Sequence, residues 1–209
     1  MIGRIGSGKS TIAKLILALY RPDKGSIYID GTDYLQLNPA DLRRQIGYVP
    51  QDVVLFYGSI KENIRMGAPY ADDDKILKAA ELSGVVHFTK IHPEGFDKQV
   101  GERGNRLSAG QRQAIAMARA LLLSPHILLL DEPTASMDDG SEGILRQNIK
   151  NFMDKDTTLI LVTHKLSMLD IVDRLIVLDN GRIVADGPKE SVLLALRNLP
   201  KTDVETKTE

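Results

Sequence analysis

Close to its start the chain carries Gly3-Arg4-Ile5-Gly6-Ser7-Gly8-Lys9-Ser10-Thr11: a glycine, four residues, then Gly-Lys-Ser, followed by a helical pattern through Tyr20. Residue types at this spacing suit a phosphate group. Glycines let successive backbone N–H groups turn toward phosphate oxygens, and the helix behind them adds the positive end of its dipole. Gly3, Gly6, Ser7, Gly8 and Thr11 would belong to the cradle, Lys9 would reach the outer phosphates, and Ser10 would ligate Mg²⁺. The plain alternative is a glycine-rich turn beside a helix. A second cluster, Ile127-Leu128-Leu129-Leu130-Asp131-Glu132, is an apolar run ending in two carboxylates. As a buried strand it delivers both acids at its C-terminal end, where open α/β sheets place their ligands. Adjacent side chains there diverge, so Asp131 can serve a metal, directly or through water, while Glu132 faces an attacking water. An acidic pair closing a strand can also be a solvated turn; the phosphate-loop pattern upstream favours the metal-and-base reading.

A third stretch, Leu107-Ser108-Ala109-Gly110-Gln111-Arg112-Gln113, precedes a helical run that ends at Ser124-Pro125. Ser108 and Gln111 have capping-box spacing. A bare helix cap and a second anion site, built from the helix N-terminus and the serine hydroxyl, both remain open on these residues alone.

The elements that must position these groups are legible as alternating strand-like and helix-like periodicity, the pattern of an α/β domain with parallel strands and helical crossovers. Ile127 to Leu130 and Leu159 to Val162 are expected to be strands buried on both faces, with Ile144, Leu145, Ile149 and Phe152 on one face of a helix between them. Asn180-Gly181 between Arg174–Asp179 and Arg182–Asp186 predicts an antiparallel hairpin with a type I′ turn, so the sheet is mixed. From about Ser59, which opens a Ser-x-x-Glu capping box, to Leu123 the chain is mostly helical and is expected to form a helical subdomain inserted into the core. Lys201 to Glu209 are polar and aperiodic, a frayed tail by expectation. The whole of 1–209 is expected to be one domain.

Its 209 residues, 43% of them apolar, are enough for one sizeable core. Lys plus Arg number 27 against 28 Asp plus Glu, so no overall positive field favours a nucleic-acid partner. No apolar stretch approaches the roughly 18–20 residues that span a bilayer. With no cysteine, thiolate metal sites and disulfides are excluded together.

With these three elements in this order, the chain resembles the ABC ATPases over almost its entire length. Their signature is usually Leu-Ser-Gly-Gly-Gln, and here Ala109 stands at the first glycine, between Leu107, Ser108 and Gly110, Gln111. Gln51 after Tyr48-Val49-Pro50 is similar to the Q-loop glutamine, Ser136-Met137-Asp138 to the D-loop with Met137 where leucine is common, and His164 after Val162-Thr163 to the switch histidine. The resemblance implies a P-loop NTPase (RecA-like) α/β fold with a mixed, mainly parallel sheet and an inserted helical signature subdomain. It implies ATP and Mg²⁺ as ligands, Glu132 as general base, His164 on the γ-phosphate, and Gln51 sensing Mg²⁺ and a membrane partner. It further implies a head-to-tail dimer in which the signature of one copy closes over ATP on the phosphate loop of the other. His87, His92 and His126 match no motif.

Val100-Gly101-Glu102-Arg103-Gly104 resembles the X-loop of ABC exporters, and Leu55-Phe56-Tyr57-Gly58-Ser59-Ile60 their segment after the Q-loop. Gly67 to Asp73, His92 to Asp97 and Val172 to Val177 are similar to bacterial type I secretion ATPases, which implies protein export from the cytoplasmic face of the inner membrane. The alternatives are a soluble ABC ATPase of nucleic-acid repair or translation, and a regulatory module that does not hydrolyse ATP. Only Met1 and Ile2 precede Gly3, and the aromatic residue that stacks on adenine in this family is not legible. The expectation is that the natural protein is longer, with its first strands and a transmembrane domain encoded upstream.

Overall fold

The computed structural model of the protein describes residues 1–198; the expectation for the tail at 201–209 lies outside the described residues. The chain runs β1 (Ile2–Gly3), α1 (Lys9–Ile16), β2 (Tyr28–Ile29), β3 (Thr32–Asp33), α2 (Pro39–Arg44), β4 (Ile46–Val49), α3 (Ile60–Arg65), α4 (Asp73–Ser83), α5 (Val85–Thr89), α6 (Ala109–Leu121), β5 (Ile127–Asp131), α7 (Asp139–Phe152), β6 (Thr158–Val162), β7 (Arg174–Asp179), β8 (Arg182–Pro188) and α8 (Lys189–Asn198). This is the α/β architecture that the periodicity predicts. Among the described residues no helix is long and apolar enough to cross a membrane.

β5 lies between β4 and β6, parallel to both, and Leu128, Leu129 and Leu130 are fully buried. A strand covered on both faces needs no polar alternation, which explains the unbroken apolar run. A second sheet has the order β1-β7-β8, with β1 parallel and β8 antiparallel to β7, and β2 and β3 form a separate antiparallel pair. The two three-stranded sheets meet at Met1, whose amino group donates to the Leu161 carbonyl and whose carbonyl accepts from Thr163 N at 3.2 Å. Alongside Met1 the seam between β6 and β7 widens into a groove of about 390 Å³ lined by Met153, Leu159, Ile171 and Ile176.

Asn180 and Gly181 have φ of 47° and 73°, the pair of left-handed residues that a type I′ turn demands. The turn also leans on the phosphate-loop segment, because Gly181 N donates to the Ser7 carbonyl at 3.2 Å. Between β4 and β5, α3 to α6 pack Ile60, Ile64, Ile76, Ala79, Ala80, Ile115 and Met117 into one cluster that continues into Leu128 and Leu130 of β5. Ala79 and Ala80 of α4 and Ala114, Ala116, Ala118 and Ala120 of α6 are buried in the same cluster, and α3 opens on the Ser59–Glu62 capping box, with reciprocal bonds of 3.1 and 2.6 Å.

Two local expectations are corrected. The helical pattern read through Tyr20 stops at Ile16, because Ala18 turns left-handed at φ 51° and Leu19 N reaches back to the Lys14 carbonyl at 3.0 Å. Ile144 does not share the inner face of α7: it is 48% exposed, whereas Leu145 and Ile149 are buried and Phe152 is half-buried. Leu145, Ile149 and Phe152 are spaced by four and three residues and so align on a helix, while Ile144, adjacent to Leu145, points about 100° away.

Candidate functional site

Four parallel strands end at one edge of the core, and each hands the chain to a candidate residue. β1 ends in the glycine-rich loop, β4 leads through Pro50 to Gln51, β5 ends in Asp131 with Glu132 next, and β6 leads through Thr163 to His164. Register brings them side by side: Val49 pairs with Leu130, Asp131 with Val162, and Thr163 N bonds Met1. Topology has thus gathered residues separated by more than a hundred positions, at the sheet edge where α/β folds hold ligands.

In the loop, Gly6 and Gly8 adopt left-handed φ of 80° and 97°, which turns the backbone sharply into α1. Gly3 has a separate reason: a Cβ there would stand 2.1 Å from the Leu178 carbonyl oxygen of β7. Gly8 caps α1 without any side-chain acceptor, so the first helical N–H groups are left to a ligand or solvent. Lys9 folds back over the loop, donating to the Gly3 and Arg4 carbonyls at 2.9 and 2.8 Å and to Ser7 Oγ at 3.4 Å. Its ammonium therefore already sits over the hollow of the loop. Ser7 is buried, Ser10 half-buried and Thr11 exposed.

Asp131 is 2% exposed, and its Oδ1 has no hydrogen-bond partner among the described residues. Burial pushes its carboxyl above the ordinary range; the Ser10 hydroxyl opposes this, the Glu132 charge adds to it, and Lys9 and Lys14 oppose it. An orphaned buried oxygen beside Ser10 is what a hard cation would satisfy, so Asp131 and Ser10 fit Mg²⁺, an ion that is usually held by few protein ligands plus phosphate and water; Gln51 stands exposed just past the end of the neighbouring strand β4. The sign of the shift gives a prediction. A carboxyl raised in the fold carries no penalty below its unfolded pKa and the full penalty above its folded one. Asp131→Asn should therefore raise the thermal midpoint of the ligand-free chain at pH 7 by roughly 2–6 °C, a gain that shrinks as pH falls into the carboxylate range. Calorimetry that found an unchanged or lower midpoint at pH 7 would contradict it.

Glu132 is 8% exposed and left-handed at φ 51°, a conformation that costs a side-chain-bearing residue roughly 1–3 kcal/mol. Its N–H is still held by the Val162 carbonyl at 2.9 Å, which aims the carboxylate across to β6. There Oε2 lies 2.8 Å from Nδ1 of His164, whose own side chain is 65% exposed. The two candidates thus form a direct pair that sequence reading does not foresee.

Ser108 caps α6, accepting from Gln111 N at 3.2 Å while Gln111 Oε1 accepts from Ser108 N at 3.1 Å. Leu107 is buried beneath it. Ser108, Ala109, Gly110 and Gln111 share a cleft of about 350 Å³ with Ser136, Met137 and Asp138, and no phosphate-loop residue lines it. Asp138 caps α7, accepting from Ser141 N at 2.9 Å. The structure therefore separates the candidates into two groups, the strand-end residues and this cleft. His87 lines the cleft as well; His126 bonds Gln45 at 2.7 Å and His92 caps Glu94 N at 3.3 Å.

The segments at 55–60 and 100–104 lie together. Val100 N donates to the Gly58 carbonyl at 2.9 Å, and Ile60 N to the Lys98 carbonyl at 3.0 Å. Behind them Asn63, 1% exposed, bonds both Phe56 N and its carbonyl at 2.9 Å, and Arg119 donates to Asn63 O at 2.9 Å. Asn63 and Arg119 form a support that motif reading misses; Asn63 on the buried face of α3 is the signal that could have revealed it. Phe56 and Tyr57 remain 54% and 84% exposed on this scaffold.

The family model for ABC transporters matches residues 1–135. A putative export ATP-binding/permease protein of Rickettsia conorii is 44% identical over 188 residues, 90% of this chain and 32% of the relative. The leukotoxin export ATP-binding protein of Aggregatibacter actinomycetemcomitans is 44% identical over 193 residues, 92% of this chain and 27% of the relative. The chain thus spans about a third or less of the length of the curated relatives it matches. The solved structure of a bacterial Atm1-family ABC exporter with ATP bound superposes with a TM-score of 0.89 at 37% identity, covering 93% of this chain and 34% of that one. Family match and superposition agree with the strand-end geometry: the chain belongs to the ABC transporter family and carries its nucleotide-binding fold.

Proposed function

We propose that the chain binds and hydrolyses ATP with Mg²⁺ and thereby drives an ABC exporter, with protein export of the type I secretion kind as the transport reaction. The observation that carries this is the convergence of the glycine loop, Lys9, Asp131 and the Glu132–His164 pair at one sheet edge. Gly3, Gly6, Ser7, Gly8 and Thr11 hold the phosphates with Lys9. Ser10, Gln51 and Asp131 hold the cation, which when bound supplies neutralisation of the phosphate charge. Glu132 takes the proton of the attacking water, and His164 moves from Glu132 to the terminal phosphate. Likeness to relatives named for leukotoxin export and RTX toxin translocation supports the secretion reading.

The partners in this reading are a second such domain and a transmembrane domain, at the cytoplasmic face of the membrane. The cleft that joins Ser108 to Gln111 with Ser136 to Asp138 lies apart from the phosphate loop, which supports its action in trans on the other copy's nucleotide. Residues 59–123 act as the helical subdomain, and Phe56, whose main chain is held by Asn63, presents with Tyr57 an apolar surface to the membrane partner. The test is to mix Ser108→Arg with Lys9→Ala, each inactive alone. Each mixed dimer keeps one intact composite site, so ATP hydrolysis should return on mixing. A mixture no more active than its parts, together with a single-copy mass for Glu132→Gln at saturating ATP, would contradict the head-to-tail site.

A further inference from the structure

Glu142 is a carboxylate on the inner face of α7, in line with Leu145 and Ile149, and its side chain is only 6% exposed. A charge in that position is costly unless it is paired and hydrogen-bonded. Lys165 Nζ lies 2.7 Å from Glu142 Oε2 and also donates to the Thr134 carbonyl at 2.9 Å. The other carboxylate oxygen, Oε1, accepts from Ser167 Oγ. Burial pushes the Glu142 carboxyl up, but the bonds from Lys165 and Ser167 and the lysine charge outweigh it, leaving the group below its ordinary value. Arg146, one turn further along α7, adds an outer tie to the Ser167 carbonyl at 2.9 Å.

The places joined by this cluster are informative. Lys165 follows His164 directly, and Lys165 N donates to Thr163 Oγ1 at 3.0 Å, so this residue is fixed by main chain and side chain together. Thr134 is two residues beyond Glu132, and Ser136, Met137 and Asp138 lie between Thr134 and Glu142. His164 itself is largely exposed and meets Glu132 through a single 2.8 Å contact. Nothing else in that contact fixes where the ring stands, so its position depends on how its neighbours are anchored.

We propose that Lys165 and Glu142 are positioning residues: the Lys165 ammonium, gripped by Glu142 and the Thr134 carbonyl, sets the spacing between the turn that carries Glu132 and the turn that carries His164. The same grip ties both turns to the start of α7, and so to the segment 136–138 at the signature cleft. This rests on the roles proposed above for Glu132 and His164.

Packing alone makes a different prediction, because a buried ion pair can often be replaced by apolar groups of similar volume without loss of stability. The test compares Lys165→Met, Glu142→Leu/Lys165→Met and Lys165→Arg in the full chain, reading thermal midpoint, kcat, KM and the NMR signals of the His164 ring. Lys165→Met leaves Glu142 buried and unpaired and should lower the midpoint; the double variant should recover it. Both should lose about 10- to 100-fold in kcat, the scale of a misplacement near 1 Å, with KM changed by no more than about threefold. Lys165→Arg, which keeps charge and donors, should restore most of the rate. If the Met variants do not fold, Glu142→Gln, which keeps the size of the side chain but removes the charge that grips Lys165 Nζ, should still shift the His164 ring signals. A double variant that is stable and turns over at the wild-type rate overturns the proposal. If the unaltered chain hydrolyses no ATP, it is the functional reading that fails. The His164 ring signals then decide: displaced in the double variant they uphold the tether, unmoved they refute it.

Discussion

Glu132→Gln is expected to bind ATP about as tightly as the unaltered chain while its turnover falls by roughly 10²- to 10⁴-fold, the usual contribution of a positioned general base. The amide matches the carboxylate in size and can still meet His164 Nδ1, 2.8 Å away, so the local geometry survives. What it cannot do is accept a proton from water. Binding should persist because the cradle is built from the backbone of residues 3–11, on a different strand, and from Lys9. Single-turnover phosphate release and an equilibrium nucleotide titration separate the two quantities. Turnover within a few-fold of the unaltered chain would remove Glu132 from its role and leave the left-handed turn at φ 51° without a functional reason.

Lys9→Ala is expected to fail at the earlier step. In the ligand-free loop the ammonium already spans the Gly3 and Arg4 carbonyls at 2.9 and 2.8 Å, and a phosphate in the hollow would take over one or more of those bonds. Hydrogen bonds to a charged group contribute about 1.5–3 kcal/mol each, so loss of the side chain should weaken nucleotide affinity roughly 10- to 150-fold. Unchanged affinity by titration with a fluorescent ATP analogue would argue that the loop holds no phosphates.

The parts of the molecule that were legible in its sequence are those where chemistry dictates residue type. Gly6 and Gly8 must be glycines for a backbone with φ of 80° and 97°, and Asn180-Gly181 announces a turn with two positive φ values. The run Ile127 to Leu130 announces a strand buried on both faces, and the acids that follow it announce its end. Asp30-Gly31 carries the same hairpin signal for β2 and β3, at φ 48° and 78°, and is easily overlooked because each strand has only two residues. What was not legible is pairing across distance. The bond from His164 to Glu132 and the tether from Lys165 to Glu142 and Thr134 join segments 23 to 32 residues apart, and no spacing rule links them. Glu142 did leave a trace: it falls on the same helical stripe as Leu145 and Ile149, and a charge on an apolar stripe calls for a buried partner.

At the centre of the proposed function is the head-to-tail dimer, which the separation of the signature cleft from the phosphate loop supports. The residues that would close over the nucleotide line a cleft to which residues 3–11 contribute nothing, which supports a site completed by a second copy. Slowed hydrolysis should hold the proposed closed dimer, which makes Glu132→Gln the variant of choice, with its mass measured by light scattering during gel filtration. With saturating ATP and Mg²⁺ it should elute at twice the mass of the 209-residue chain, and without nucleotide at the mass of a single copy. A single-copy mass at saturating ATP would contradict a nucleotide site shared between two copies.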